Sequence, residues 1–308
     1  MRSNRIGIVA AAWILSLSTQ AFSYCRTTTC DPLRSDCGAA DRNGCITTGL
    51  PLYWPSKCVS FVVQKDAAPG ISFDTFNEIT ERSFRHWETV DCGDGSTPSL
   101  KIINHGAASC DKPEFNQDTG NANIVMFRTD AWDYQDTANV LAITTVTFGV
   151  ESGIIYDADI EINAVDNIIS VSDTNVTKDL ESIVTHEAGH FLGLAHSNDH
   201  QATMYASYTP GTTTLRSLEP DDIAGICTIY PPTRTADCER NPYKGLRRSC
   251  ASSGSDSDDG GCSIASLATP RAPGTSRTSG VLVVLLVALA AFASRQLGRR
   301  LRANRARS

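Results

Sequence analysis

The sequence holds eleven cysteines yet no Cys-x-x-Cys pair. That spacing is the common way to seat a structural zinc on thiolates, so its absence disfavours cysteine-based zinc binding. No unbroken apolar run reaches the ~20 residues that a membrane-spanning helix needs. Acidic residues are missing from residues 1–23 and from residues 270–308, which carry two and eight arginines. The stretch between them has 17 basic and 34 acidic residues, a balance of −17. Such an acidic body excludes nucleic acid as a partner. Histidine is scarce too: there are six, and three of them fall within residues 186–196.

That window reads His186-Glu187-Ala188-Gly189-His190-Phe191-Leu192-Gly193-Leu194-Ala195-His196, or H-E-x-x-H-x-x-G-x-x-H. His186 and His190 are four apart, so a helix projects both imidazoles from one face, where they can grip one metal ion. Glu187 stands beside the first, within reach of a metal-bound water. A helix cannot bring a third ligand from the opposite side, so the chain must turn. Gly193 supplies the backbone freedom for the reversal, and His196 can then close the site. Three protein ligands leave a fourth position open, the pattern of a catalytic rather than a structural zinc. Five fixed positions coincide by chance with a probability on the order of 1 in 10,000 for a chain of this length. The plainer alternative is a helix with two surface histidines and a glycine cap.

Met1-Arg2-Ser3-Asn4-Arg5, the apolar run Ile6 to Leu17 and Ala21-Phe22-Ser23 have the form of a secretory signal peptide cut after Ser23. Export predicts oxidised cysteines and hence a disulfide framework, with one cysteine left over. Residues 24–50 read as a small disulfide-pinned cap. Residues 51–232 read as one domain, within the usual size. After Pro232 order is expected to decay through residues 233–279. Cys238 and Cys250 could clip a short extension there, and residues 251–280 have linker composition. In residues 280–308 the apolar stretch Gly280 to Ala293 precedes Arg295, Arg299, Arg300, Arg302, Arg305 and Arg307. It is short for a transmembrane span, yet the arginines would stop transfer, so membrane contact is expected only through this tail.

Within the domain, Cys58 to Val63, Leu100 to Asn104, Asn123 to Phe127, Val140 to Phe148 and Tyr156 to Asn163 are expected strands. Ile71 to Trp87 carries Phe73, Phe76, Thr80, Phe84 and Trp87 at helical spacing. Asp179 is placed to cap the motif helix, and Asp221 to Tyr230 is a last helix with Pro220 at its start. The order predicts a mixed α/β sheet domain of the α+β type. On Tyr156 to Asn163, Asp157, Asp159 and Glu161 share one side. They are expected to form a solvated face, with calcium on their oxygens as the second reading.

The zinc motif resembles that of the metzincins, and further residues are similar to the matrixin branch. Ser197 follows the third histidine. Ala202-Thr203-Met204-Tyr205 resembles the Met-turn, which implies that Met204 packs beneath the metal. Tyr208 matches a tyrosine on the wall of the pocket that takes the side chain after the scissile bond. Leu218-Glu219-Pro220-Asp221-Asp222-Ile223 resembles the start of the last helix. Val140-Leu141-Ala142 resembles the edge strand that pairs with an extended substrate, which implies Leu141 and Ala142 as substrate-binding positions. The resemblance implies a twisted mixed sheet with an active-site helix, Met-turn and C-terminal helix. Two family features are missing. Asp159 stands where a second-zinc histidine is usual, so one catalytic zinc is expected. The inhibitory P-R-C-G-x-P-D segment is absent, and Cys37-Gly38 lacks its flanking residues. Gly260-Gly261-Cys262 with the tail resembles the sorting tails of myxobacterial surface proteins, which implies Cys262 as a processing or anchoring site. The ten cysteines from Cys25 to Cys250 could then form five disulfides.

The expected function is a zinc metalloendopeptidase, exported and extracellular or cell-surface anchored, monomeric, and acting on polypeptides. Zinc on His186, His190 and His196 activates a water, and Glu187 serves as general base. The alternatives are a catalytically inactive metzincin-fold adhesion protein and a metal-dependent hydrolase of non-peptide substrates.

Overall fold

The computed structural model describes residues 22–30, 36–134 and 139–250, and the backbone of residues 282–291. The expected signal peptide lies almost wholly outside the described residues, as does Cys262. The chain runs through β1 (Cys25–Arg26), β2 (Cys58–Gln64), helix α1 (Phe73–Thr89), β3 (Lys101–Ala108), β4 (Ile124–Arg128), β5 (Val140–Gly149) and β6 (Ile155–Asn163). Two short strands, β7 (Ile169–Ser170) and β8 (Lys178–Asp179), lead into helix α2 (Leu180–Phe191). Then come β9 (Leu194–Ala195), β10 (Ser207–Tyr208), a 3-10 turn at Thr214–Arg216, helix α3 (Pro220–Ile229) and β11 (Leu282–Ala291).

Five strands form the mixed body of the sheet in the order β3-β2-β4-β6-β5, four of them parallel and β5 antiparallel beside β6, and β11 and β10 extend it beyond β5. Parallel strands are buried on both faces, which suits the apolar Val59, Phe61, Val62 and Val63 of β2. Helix α1 begins at Phe73 because the Ser72 side chain accepts a hydrogen bond from the Thr75 N–H. Its stripe of Phe76, Ile79, Phe84 and Trp87 is buried. The Phe84 ring stacks on Phe61 at 4.5 Å and meets Phe191 of α2 edge-on at 5.0 Å. Trp87 Nε1 donates to the Thr185 carbonyl at 2.9 Å and so joins α1 to the helix that carries the histidines.

Three expectations need correction. The acids of β6 do not form a solvated face: Asp157, Asp159 and Glu161 are all buried. The segments before and after β4 cover them. Asp159 accepts from the Glu114 and Ile124 N–H groups at 3.0 and 2.9 Å. Glu161 accepts from Tyr134 and pairs with Arg128 at 3.1 Å. Order also persists beyond Pro232. Residues 233–250 lie back on the domain, with Arg234 donating to the Trp54 and Pro55 carbonyls at 2.7 Å. Finally, the described part of the apolar tail forms no helix. Residues 282–291 are a strand, antiparallel to β5 and parallel to β10. Among the described residues no helix is long and apolar enough to cross a membrane. The edge of β5 offers N–H and C=O groups that a Val- and Leu-rich strand can satisfy.

Five disulfides close over the ten cysteines from Cys25 to Cys250. Cys37 pairs with Cys30, and Cys25 with Cys45, which pins the cap. Cys58–Cys238 and Cys110–Cys250 fasten residues 233–250 to the sheet. Cys92–Cys227 links the end of α1 to α3 across 135 residues. Closing so long a loop removes unfolded-state entropy worth about 5 kcal/mol. A Cys92→Ser, Cys227→Ser double variant is therefore expected to lose about that much stability. Denaturant unfolding under non-reducing conditions measures it.

Candidate metal centre

Helix α2 begins where the Asp179 side chain accepts from the Ser182 N–H at 2.9 Å. Every residue of the helix is buried, so His186, Glu187 and His190 face the interior of the protein. The helix ends at Gly193, whose φ of +99° is accessible mainly to glycine. A Cβ there would also lie 2.8 Å from the Leu52 carbonyl oxygen. The reversal sends β9 back antiparallel to β1 and delivers His196 opposite the first two histidines.

The three imidazoles converge. His190 Nε2 lies 3.1 Å from His186 Nε2 and 3.2 Å from His196 Nε2. Tetrahedral zinc with nitrogen bonds of about 2.0–2.1 Å places its ligand nitrogens about 3.3 Å apart. The other ring nitrogens are taken: His186 Nδ1 lies 2.6 Å from the Thr203 carbonyl and His190 Nδ1 lies 2.9 Å from the Leu194 carbonyl. Carbonyls only accept, so both Nδ1 atoms carry the proton and both Nε2 atoms are lone-pair donors. Two such lone pairs aimed at one point 3 Å apart repel each other unless a cation lies between them. Burial, reinforced by His196, holds the His186 pKa down at about 3, and burial holds His190 low as well. Neutral imidazole is the form that binds a metal. The donor set thus fits zinc. Among the described residues this is the one group of three or more metal-type side chains with ligand atoms within 4.8 Å of each other. Of the β6 acids, where calcium is the second reading, Asp159 and Glu161 are engaged by protein donors.

Glu187 is fully buried beside His186. Its Oε2 accepts from the Thr144 hydroxyl at 2.5 Å. Thr144 lies on β5 and was missed by sequence reasoning, where it was only one β-branched residue in a strand. The contact depends on a packing of β5 against α2 that spacing along the chain cannot reveal.

Met204 lies directly beneath the motif helix. A Cβ on Gly189 would come within 2.2 Å of the Met204 sulfur, so glycine between the two histidines is what lets the methionine approach. The turn around it hangs on Asp222 in the first turn of α3. That carboxylate accepts from the N–H groups of Thr203, Met204 and Glu219 at 2.7, 3.0 and 2.9 Å. Burial nonetheless pushes its pKa up to about 6. Asp221, its neighbour, accepts from Ser197 Oγ at 2.6 Å, next to His196. Neither aspartate's role was visible beyond the acidic start of a helix.

Tyr208 is buried, with its hydroxyl donating to the Thr212 carbonyl at 2.6 Å and accepting from the Asp179 N–H at 3.0 Å. Leu141 and Ala142 bury their side chains in the core, so only their backbone can meet a ligand. That edge pairs with the chain's own β11, Ala142 opposite Leu289 and Val140 opposite Ala290.

A family model described as Matrixin matches residues 53–231. Over 114 residues the chain is 36% identical to Metalloendoproteinase 1-MMP of Arabidopsis thaliana, covering 37% of this chain and 31% of that one. It is 33% identical over 194 residues to Neutrophil collagenase of Homo sapiens, covering 63% and 37%. It is 31% identical over 158 residues to Metalloendoproteinase 1 of Glycine max, covering 51% and 46%. The match thus spans less than half the length of each of these relatives.

Asp222→Ala would orphan three N–H groups beneath the site, two of them in buried hydrogen bonds. The expected cost is roughly 3 kcal/mol or more. Denaturant unfolding would register it, together with weaker zinc retention during dialysis.

Proposed function

Because the chain belongs to the matrixin family, we propose that it is a zinc-dependent endopeptidase. The observation that carries this reading is the convergence of three imidazole nitrogens beside the buried Glu187 carboxylate. His186, His190 and His196 would hold the zinc. When bound, zinc supplies Lewis acidity toward a carbonyl and makes water a better nucleophile near neutral pH.

The chain's own residues do the rest. Glu187 takes the proton from the attacking water and returns it to the departing amine. Thr144 holds one carboxylate oxygen in place through both transfers. The carbonyls of Thr203 and Leu194 keep the first two imidazoles aimed and neutral. Met204 fills the space beneath them and fixes their geometry without acting on substrate. An extended peptide adds to the Leu141–Ala142 edge by backbone hydrogen bonds, on the track that residues 282–291 follow. Tyr208 and residues 209–217 shape the pocket for the side chain after the scissile bond, which suits an apolar or bulky residue.

We place the protein outside the cell, anchored through its C-terminal tail at Cys262. Five disulfides support an oxidising destination. A cut after Ser23 would leave the amine of Tyr24 on Asp221, where its N–H already donates at 3.0 Å.

Glu187→Ala is expected to keep one zinc per chain by elemental analysis yet lose cleavage of casein or gelatin. Unchanged cleavage removes Glu187 from the mechanism, and no chelator-sensitive cleavage by the parent protein favours a binding protein. Thr144→Val should cost about tenfold in kcat, with Thr144→Ser recovering most of it. Steady-state assays on a fluorogenic peptide decide this, and equal rates for all three proteins would leave Thr144 a packing residue.

A further inference from the structure

A dense ion cluster lies at the start of α2, away from the histidines. Asp179 is fully buried, and Glu181 nearly so. Arg216 closes on Asp179 with both arms of its guanidinium, Nε to Oδ2 at 2.8 Å and Nη2 to Oδ1 at 2.6 Å. Its third nitrogen, Nη1, reaches Asp173 at 2.6 Å. Arg82 of α1 forks onto Glu181 at 2.8 Å through two contacts, and His86 lies 3.1 Å from the same carboxylate. Burial works against the Glu181 charge, but hydrogen bonds from His86 and Arg82 and the nearby arginine charges outweigh it and hold the pKa down at about 2.

Two arginines therefore serve one cluster, but they come from different places. Arg82 joins helix to helix. Arg216 ends the 3-10 turn Thr214–Arg216, inside the segment that follows Tyr208. Leu215, beside Arg216, is buried in the core, and two hydrogen bonds to its backbone tie the segment further. Gly211 N–H donates to the Thr177 carbonyl at 2.7 Å, and Thr203 Oγ1 donates to the Ser217 carbonyl at 2.8 Å. The Tyr208 hydroxyl joins the two ends of the arrangement, accepting from the Asp179 N–H and donating to the Thr212 carbonyl. Arg216 and Tyr208 thus meet on one residue, Asp179: one holds its carboxylate, the other its backbone.

Building on the endopeptidase reading, we propose that Arg216 is the specificity-positioning residue of this site. It clamps residues 209–217 and the Tyr208 ring to the start of the zinc helix, and so sets how large a side chain the pocket after the scissile bond accepts. A bidentate fork fixes both distance and angle, which a point charge cannot do. Releasing it lets the segment move outward, and the pocket then tolerates bulkier residues. Pockets that discriminate by fit alone lose selectivity by factors of about ten when their walls give way.

The test uses the zinc-loaded full chain and a pair of fluorogenic peptides alike except for leucine or naphthylalanine after the scissile bond. Arg216→Lys keeps a charge for the buried Asp179 but loses the fork, and Arg216→Gln loses both. Each is expected to raise the naphthylalanine-to-leucine ratio of kcat/KM at least about fivefold, carried by KM rather than kcat. Arg82→Gln breaks the same cluster from the other side. It should lower the Tm while leaving that ratio within about twofold of the parent. If the Gln variant fails to fold, the Lys variant decides. An unmoved ratio in Arg216→Lys, or the same shift in Arg82→Gln, overturns the proposal and leaves the peptidase reading standing. A zinc-loaded parent protein that cleaves neither peptide nor casein overturns both.

Discussion

Two backbone carbonyls, those of Thr203 and Leu194, determine what the first two histidines can be. Each accepts a hydrogen bond from one imidazole Nδ1–H and thereby turns the opposite nitrogen toward a common point. The helix alone would put two rings on one face but would not choose their tautomers. The carbonyls do so only because they are themselves held. Thr203 belongs to the turn that Asp222 supports through three N–H groups. The Leu194 carbonyl also accepts from Thr27 Oγ1 at 2.9 Å. The metal centre is thus a product of its outer supports as much as of its motif.

Those supports explain what could be read from the chain and what could not. The motif spacing, the glycine reversal, the Asp179 cap and the five sheet strands are local patterns. Each lies where its periodicity or capping chemistry places it, apart from shifts of a few residues at the ends. The missed residues share a different property: their partners are distant in sequence. Thr144 meets Glu187 43 positions away, and Glu114 reaches Asp159 from 45 away. The β6 acids follow the strand alternation as expected, but their outward side is roofed by segments around β4. Periodicity reports which side chains share a face. It does not report what covers that face.

The ends of the domain teach the same lesson. Residues 233–250 are poor in apolar periodicity, so order is expected to decay there, with Cys238 and Cys250 clipping a short extension. Two disulfides and the Arg234 contacts hold them down regardless. The free edge that β5 would otherwise present is covered by an apolar strand from the tail. An edge built to accept an extended chain does not distinguish a foreign chain from its own.

The β1–β9 pair has a bearing on how the protein is made. Residues 25–26 align with residues 194–195, and residue 24 reaches residue 221. Emerging N-terminus first, the chain exposes the H-E-x-x-H helix before α3 is available to brace the turn below it. The third histidine arm closes only when the earliest and latest parts of the domain meet. Contacts of such sequence separation form late and slowly. The site therefore gains its shape only on completion of the whole domain, and topology keeps the nascent chain from presenting a finished metal centre before then.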